Sequence, residues 1–324
     1  MRAIVVERTG GPEVLELREM PPRAPGPGEL LVDVEAAGVN FIDVYQREGR
    51  YALETPFVAG CEGAGTVHAV GDGVDAVRPG EHVAWAMVNG TGYTTQAVIP
   101  AERAVPIPDG VTTEQAAAVL LQGLTAQFLC TATYAVQAGE TVLLHAAAGG
   151  VGLLLTQMVA RRGGRVLATV STDEKAELAR EAGAEEVIRY DREDVVDSVR
   201  RLTDGRGVPV VYDGVGRSTF DASLACLAPR GMLVLFGASS GAVPPIDPMR
   251  LASGGSLFLT RPSLAHYSAE RGELLGRASD VFAQVRDGSL QVRVGACHPL
   301  AEAGQAHADL EGRRTTGKSL IIPD

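Results

Sequence analysis

The run His145-Ala146-Ala147-Ala148-Gly149-Gly150-Val151-Gly152 constrains this chain more than any other stretch. An apolar segment precedes it at 141–144 and another follows at 153–160. The first reads as a buried parallel strand, the second as a helix packed on a sheet. Strand, glycine turn and helix in that order hold the pyrophosphate of a dinucleotide. Glycine lets the backbone approach the phosphates, and the helix N-terminus offers unpaired N–H groups and the positive end of its dipole. Ala147 stands at the first glycine of the usual pattern, so the match is A-x-G-x-x-G. The turn therefore needs support from its surroundings.

That support is the alternation around it. Strands are expected at 165–170, 186–190, 210–214, 231–237 and 255–260, with helices at 175–182 and 220–227 between them. Such alternation predicts an α/β fold with a doubly wound parallel sheet. Ligands in these sheets sit beyond the carboxyl ends of the strands. His145, ending a buried strand, reads as a hydrogen-bonded core residue rather than a base. NAD sites place an acid at the end of the second strand, on the ribose 2′-hydroxyl. No acid stands at 170–172 here, while Ser171 and Lys175 suit a 2′-phosphate and hence NADPH. Asp173 is the competing feature, since a longer turn would bring it to a ribose hydroxyl.

At 324 residues the chain exceeds what one core usually supports, and 45% hydrophobic residues supply two. Residues before about 120 are rich in short strands and turns, which predicts a small β-barrel. Thr112-Thr113-Glu114-Gln115 is a capping box opening an Ala/Leu-rich helix towards Cys130. Past 260 the βα rhythm ends. Helices at 268–287 and 301–310, a strand at 291–294 and a last strand at 319–322 are expected to return to the first domain. The resulting division is 1–122 with 265–324, and 123–264. A net charge of -11 gives nucleic acid and anionic membranes no electrostatic attraction. No apolar stretch is expected to be long enough to span a bilayer, and the start reads as a strand rather than a signal peptide. The four cysteines are scattered without a CxxC pair, which suggests neither a zinc lobe nor disulfides and points to a reducing cytoplasm.

The stretches Gly11-Pro12-Glu13-Val14-Leu15, 38–47 (GVNFIDVYQR), 145–152, Tyr212-Asp213-Gly214-Val215-Gly216 and Thr260-Arg261-Pro262-Ser263-Leu264 occur in the order seen in one family. The chain resembles the zinc-free NADPH:quinone oxidoreductases, relatives of zeta-crystallin within the medium-chain dehydrogenase/reductase superfamily. The resemblance covers essentially the whole chain. It implies a Rossmann domain plus a GroES-like β-barrel domain, with the active site between them. Zinc-dependent relatives carry a cysteine where Asn40 stands and a Gly-His-Glu motif at Gly60-Cys61-Glu62. An amide in the first position and Cys61 in place of the histidine leave no catalytic zinc set, and Cys61 reads as a small buried residue.

Hydride transfer to a quinone or enone needs no metal, because the acceptor is already electron-poor. The protein must place the nicotinamide and stabilise the oxygen that gains charge. Asn40, Asp43, Tyr45 and Arg47 are suited to lining such a pocket as catalytic residues, and the resemblance favours that role for Asn40 and Tyr45. Asn40, Asp43 and Arg47 share a helical face. The competing reading is an Asp43–Arg47 pair on a solvated helix. For the cofactor it implies Ala148, Gly149, Gly150 and Val151 at the pyrophosphate, and Ser171, Lys175 and Tyr190 at the 2′-phosphate. Tyr190 is equally readable as a packing residue. Phe236, Gly237 and Ser239 are implied at the nicotinamide, and Arg313 or its neighbour Arg314 as a further contact. Lys318 reads as a solvated charge, and Gln122 replaces a lysine common in bacterial relatives. The implied activity is NADPH-dependent reduction of quinones by a cytoplasmic homodimer joined near 256–260. Reduction of α,β-unsaturated carbonyls and storage of NADPH without turnover are the alternatives.

Overall fold

A computed structural model describes residues 1–323. The chain divides into two units, Met1–Leu124 together with the chain from Ser268 on, and Thr125–Tyr267.

The unit Thr125–Tyr267 is built on a six-stranded sheet. Its spatial order is Glu186–Arg189, Arg165–Val170, Thr141–Leu144, Val208–Asp213, Leu227–Leu235 and Phe258–Thr260. Every pairing is parallel. The central strands Thr141–Leu144, Arg165–Val170 and Val208–Asp213 are rich in Val, Leu and Ala and mostly buried, as a sheet covered by helices requires. Gly150–Arg161, Asp173–Glu181, Val195–Leu202 and Phe220–Cys226 are the covering helices. Leu143, Leu167, Val211, Phe220 and Leu233 meet in one core, each contributing about 1.5–3 kcal/mol by leaving water. The chain winds outwards from Thr141–Leu144 in one direction, then resumes on its other side at Val208–Asp213. That reversal is the point where doubly wound sheets leave a crevice at their carboxyl ends. The edge strand is shorter than its sequence suggests. Gly255 and Ser256 take φ values of 117° and 56°, outside the extended region, so the strand begins only after them.

The other unit holds a three-stranded and a seven-stranded sheet. The long strand Glu29–Val39 is its axis, pairing with Glu62–Val70, Gln96–Pro100 and Lys318–Ile322. Trp85, Tyr93, Ile99 and Ile321 lie in the core beneath. Lys318–Ile322 pairs antiparallel with Ala37–Val39, which carries the end of the chain to the start of the helix Phe41–Arg47. The strand expected at 291–294 is Val294–Pro299 instead, in parallel register with Lys318–Ile322. Thr112 and Gln115 form the expected reciprocal cap, at 3.0 and 3.1 Å. The helical run that follows corrects one expectation. Thr113–Thr133 is long and apolar enough to cross a membrane by length and composition, but 72% of its most apolar window is buried in the protein, as in a core helix.

Candidate active site

Asn40 ends the long strand with extended backbone and starts the helix Phe41–Arg47. Its N–H donates to Asp43 Oδ2 at 2.9 Å, the return half of a capping box. Its side chain is also committed. Asn40 Nδ2 donates to Glu62 Oε1 at 2.6 Å. Its Oδ1 accepts from Lys318 Nζ at 2.9 Å and from Gln122 Nε2 at 3.3 Å. Lys318 also donates directly to Glu62 Oε1, and Glu62 Oε2 accepts the Leu121 N–H at 3.1 Å. Lys318 is only 2% exposed, so it is not the solvated charge its terminal position suggests. A buried charge must be paired and hydrogen-bonded, and this pair is. Gly38 makes room for it, since a Cβ there would overlap both the Glu62 carboxylate and the Lys318 ammonium.

A second chain of contacts starts at Asp43. Arg47 is 1% exposed, donates to the Gly10 carbonyl at 3.0 Å, and grips both oxygens of Glu311 at 2.9 and 3.0 Å. Its Nη1 also lies 3.1 Å from His307 Nδ1. A guanidinium cannot accept, so His307 Nδ1 does, and Nε2–H then donates to the Tyr93 hydroxyl at 3.0 Å. The Tyr93 hydroxyl in turn donates to Asp43 Oδ2 at 3.2 Å. Burial, with Arg47 beside it, lowers His307 to about 3. Burial pushes the Asp43 carboxyl up to about 7, and the Asn40 N–H offsets part of that rise. The Cys61 thiol is pushed well up, by burial first and by the nearby Asp43 and Glu62 carboxyls after it.

These contacts correct two assignments. Arg47 is not open to a ligand, because it is buried and each of its three nitrogens is engaged inside the unit. Asp43 faces inwards as a helix cap, and the alternative Asp43–Arg47 pair on a solvated face does not form. Tyr45 is nearly buried. Its ring meets Tyr51 edge-on at 5.4 Å and Phe41 at 6.0 Å, and the Arg50 guanidinium lies 5.2 Å from its centroid. Sequence reasoning missed Lys318, Tyr93, His307 and Glu311 as partners. A charge beginning the apolar strand KSLII, with Gly38 just before Asn40, was the available signal.

In the other unit, the turn 145–149 leads into the helix Gly150–Arg161. Gly149 is its N-cap and has no side chain to satisfy the first N–H groups. Gly149, Gly150 and Val151 are partly open, while Ala148 is buried. This is a fit for a pyrophosphate, with free donors at a helix start and no side chain in the way. Gly152 serves packing, since a Cβ there would overlap the Ala146 carbonyl. Ala146 itself takes φ 54°. His145 is a core residue as expected. Its Nε2 lies 3.1 Å from Ser223 Oγ and its Nδ1 2.9 Å from Thr169 Oγ1. Ser223 donates onward to Asp213 at 2.8 Å, so Nε2 carries the proton. Burial lowers its pKa, keeping the ring neutral.

Ser171 follows the strand Arg165–Val170, and Thr172 caps the next helix by accepting the Lys175 N–H at 3.2 Å. Tyr190 follows the adjacent strand, is 42% exposed, and donates its N–H to the Val170 carbonyl at 3.2 Å. Ser171, Lys175 and Tyr190 thus share one end of the sheet. Phe236 and Gly237 donate to the Asp213 carbonyl at 2.8 and 3.3 Å, and Ser239 to the Gly214 carbonyl at 3.3 Å. A Cβ on Gly237 would overlap that same Gly214 carbonyl. Arg313 belongs to the first unit, exposed on a left-handed turn at φ 57° after the helix Ala303–Glu311.

Residues 26–109 match the alcohol dehydrogenase GroES-like domain and 150–269 the zinc-binding dehydrogenase family. The quinone oxidoreductase of Pseudomonas aeruginosa is 46% identical over 97% of both chains. The chain belongs to the quinone oxidoreductase family of medium-chain dehydrogenases/reductases. The crystal structure of the Escherichia coli quinone oxidoreductase complexed with NADPH is 42% identical, with TM-score 0.98 over 100% of both chains. A 2-haloacrylate reductase of a Burkholderia species is 39% identical over 99% of this chain and 98% of its own. The donor set of this chain does not fit the zinc that the second family's description implies. Asn40 is an amide, the Cys61 thiol is pushed well up and so held protonated, and Glu62 is occupied by Lys318. No cluster of three or more His, Cys, Asp or Glu able to hold a metal occurs among the described residues.

Proposed function

We propose that this protein reduces quinones with NADPH, by hydride or single-electron transfer and without a metal. The observation that carries the reading is the unobstructed helix start at Gly149 and Gly150 on a sheet whose next strand is followed by Ser171 and by the helix that carries Lys175, within a chain of this family. Bound NADPH supplies the reducing equivalent. In this reading Ala148, Gly149, Gly150 and Val151 hold the pyrophosphate. Ser171, Lys175 and Tyr190 hold the 2′-phosphate, Phe236, Gly237 and Ser239 border the nicotinamide, and Arg313 adds a cationic contact. Asn40 and Tyr45 orient the acceptor oxygen. Lys318 and Glu62 hold the Asn40 amide in one orientation, while Asp43 and Arg47 act at one remove by fixing the helix that carries Tyr45. Two-electron turnover consumes one NADPH, one quinone and one proton, and releases NADP⁺ and a hydroquinone.

A second reading, reduction of α,β-unsaturated carbonyls, is favoured by the likeness to the 2-haloacrylate reductase. Steady-state NADPH oxidation with 1,4-benzoquinone, 9,10-phenanthrenequinone, a 2-alkenal and 2-chloroacrylate separates the two. The expected order places both quinones first. A preference for the alkenal or the haloacrylate would transfer the assignment to the second reading. NADPH binding with no turnover of any acceptor would indicate storage and overturn both. We further propose a cytoplasmic homodimer joined along the edge strand Phe258–Thr260, where Phe258 is 57% exposed. Sedimentation of Phe258→Glu should then show monomer.

A further inference from the structure

The end of the sheet that carries Ser171 and Lys175 holds more charge than those two residues account for. Asp173 follows Gly152 by about twenty residues, the separation at which NAD sites place their ribose acid. Here that carboxylate is engaged. Arg189 Nη1 donates to Asp173 Oδ1. Arg192 reaches Oδ1 at 3.2 Å and Oδ2 at 2.9 Å. Arg189 is held from its other side by Asp191, at 2.8 Å to each oxygen. The Arg189 side chain is only 12% exposed, so its guanidinium is fixed, whereas Asp173 is 73% exposed. Parallel register places Arg189 directly beside Val170, one residue before Ser171. The Arg192 fork and the Arg189 Nη1 therefore converge on one solvent-facing carboxylate, at the start of the helix that carries Lys175.

A phosphate monoester offers those donors the same sign of charge, more of it, and the same bidentate geometry. Exposed ion pairs such as Arg192–Asp173 are weak and easily exchanged. We propose that Asp173 is an internal stand-in for the 2′-phosphate: it occupies Arg189 and Arg192 in the free protein, yields them to the phosphate of NADPH, and while held by them cannot accept the ribose hydroxyl of NADH. The inference rests on the reading that this unit binds NADPH, and adds a two-way discriminator to it. The arginines favour the phosphate, and their hold on Asp173 disfavours its absence.

Calorimetric titration of the full chain with 2′,5′-ADP and with 5′-ADP tests this without turnover. Arg189→Gln/Arg192→Gln should weaken 2′,5′-ADP by about 100-fold, roughly tenfold per charge-assisted contact. It should leave 5′-ADP equal or tighter, because Asp173 is released to the ribose. Asp173→Asn should tighten 2′,5′-ADP severalfold with 5′-ADP unchanged. The inference is overturned if the double variant keeps the wild-type ratio of the two affinities, or if Asp173→Asn leaves 2′,5′-ADP unmoved. In those cases loss of discrimination in Lys175→Ala would leave the NADPH reading standing. If the wild type binds both nucleotides equally, the NADPH reading itself fails.

Discussion

The nucleotide turn and the buried network around Asn40 solve their problems in opposite ways. The turn is backbone. Its donors are N–H groups, its specificity is the absence of side chains at Gly149 and Gly150, and its parts lie within a dozen residues of one another. The Asn40 network is side chain throughout. It joins Asn40 to Glu62 across 22 positions and to Lys318 across 278. A backbone site tolerates water and offers its donors to a ligand. A side-chain network of charges holds only while water is excluded and every partner is present. The first should therefore fail locally when altered, and the second should take its whole unit with it.

The largest test of that contrast is Lys318→Met, which strands the Glu62 carboxylate. It should cost about 3–5 kcal/mol in urea unfolding, with Lys318→Met/Glu62→Leu recovering much of the loss. A loss under about 1 kcal/mol would place the pair with weak surface bridges. Asp43→Asn sharpens the same side. The folded carboxyl is protonated below about 7, whereas an aspartate in water ordinarily titrates at 3.8. Its stabilising contribution is therefore full below about 4 and is lost as pH climbs through 7. The variant should gain on the wild type between about pH 5 and 8 by up to roughly 3 kcal/mol. An equal difference in Tm at both values would refute that titration. On the backbone side, Gly152→Ala should displace the Ala146 carbonyl, weaken NADPH by about tenfold or more, and leave the urea midpoint of the other unit unmoved. Smallest is Tyr45→Phe, expected to lower kcat/KM for quinones by about tenfold with NADPH affinity kept. Unchanged quinone kinetics would return Tyr45 to a packing role.

The same contrast explains what is legible in the sequence. Six strands, the helix starts and the glycine turn are readable because hydrophobic period and turn residues act over short spans. His145 is legible as core for the same reason, standing at the end of a strand that its own neighbours define. Arg47 and Lys318 are not. Both look like surface cations, and only the return of the chain at 303–322 supplies Glu311, His307 and the register that buries Lys318. Asp173 lies between the two cases. Its position is visible, but the arginines that occupy it come from the next strand and the turn after it.

In the proposed reaction a reduced pyridine nucleotide gives up its electrons with no zinc at Cys61 and Glu62. The most direct test of this is NADPH oxidation by 9,10-phenanthrenequinone after exhaustive dialysis against a chelator, with bound zinc assayed in the same sample. Full turnover is expected at less than roughly one tenth of an equivalent of zinc, the level of adventitious binding without a ligand set. Activity lost on chelation and regained with added zinc would contradict it.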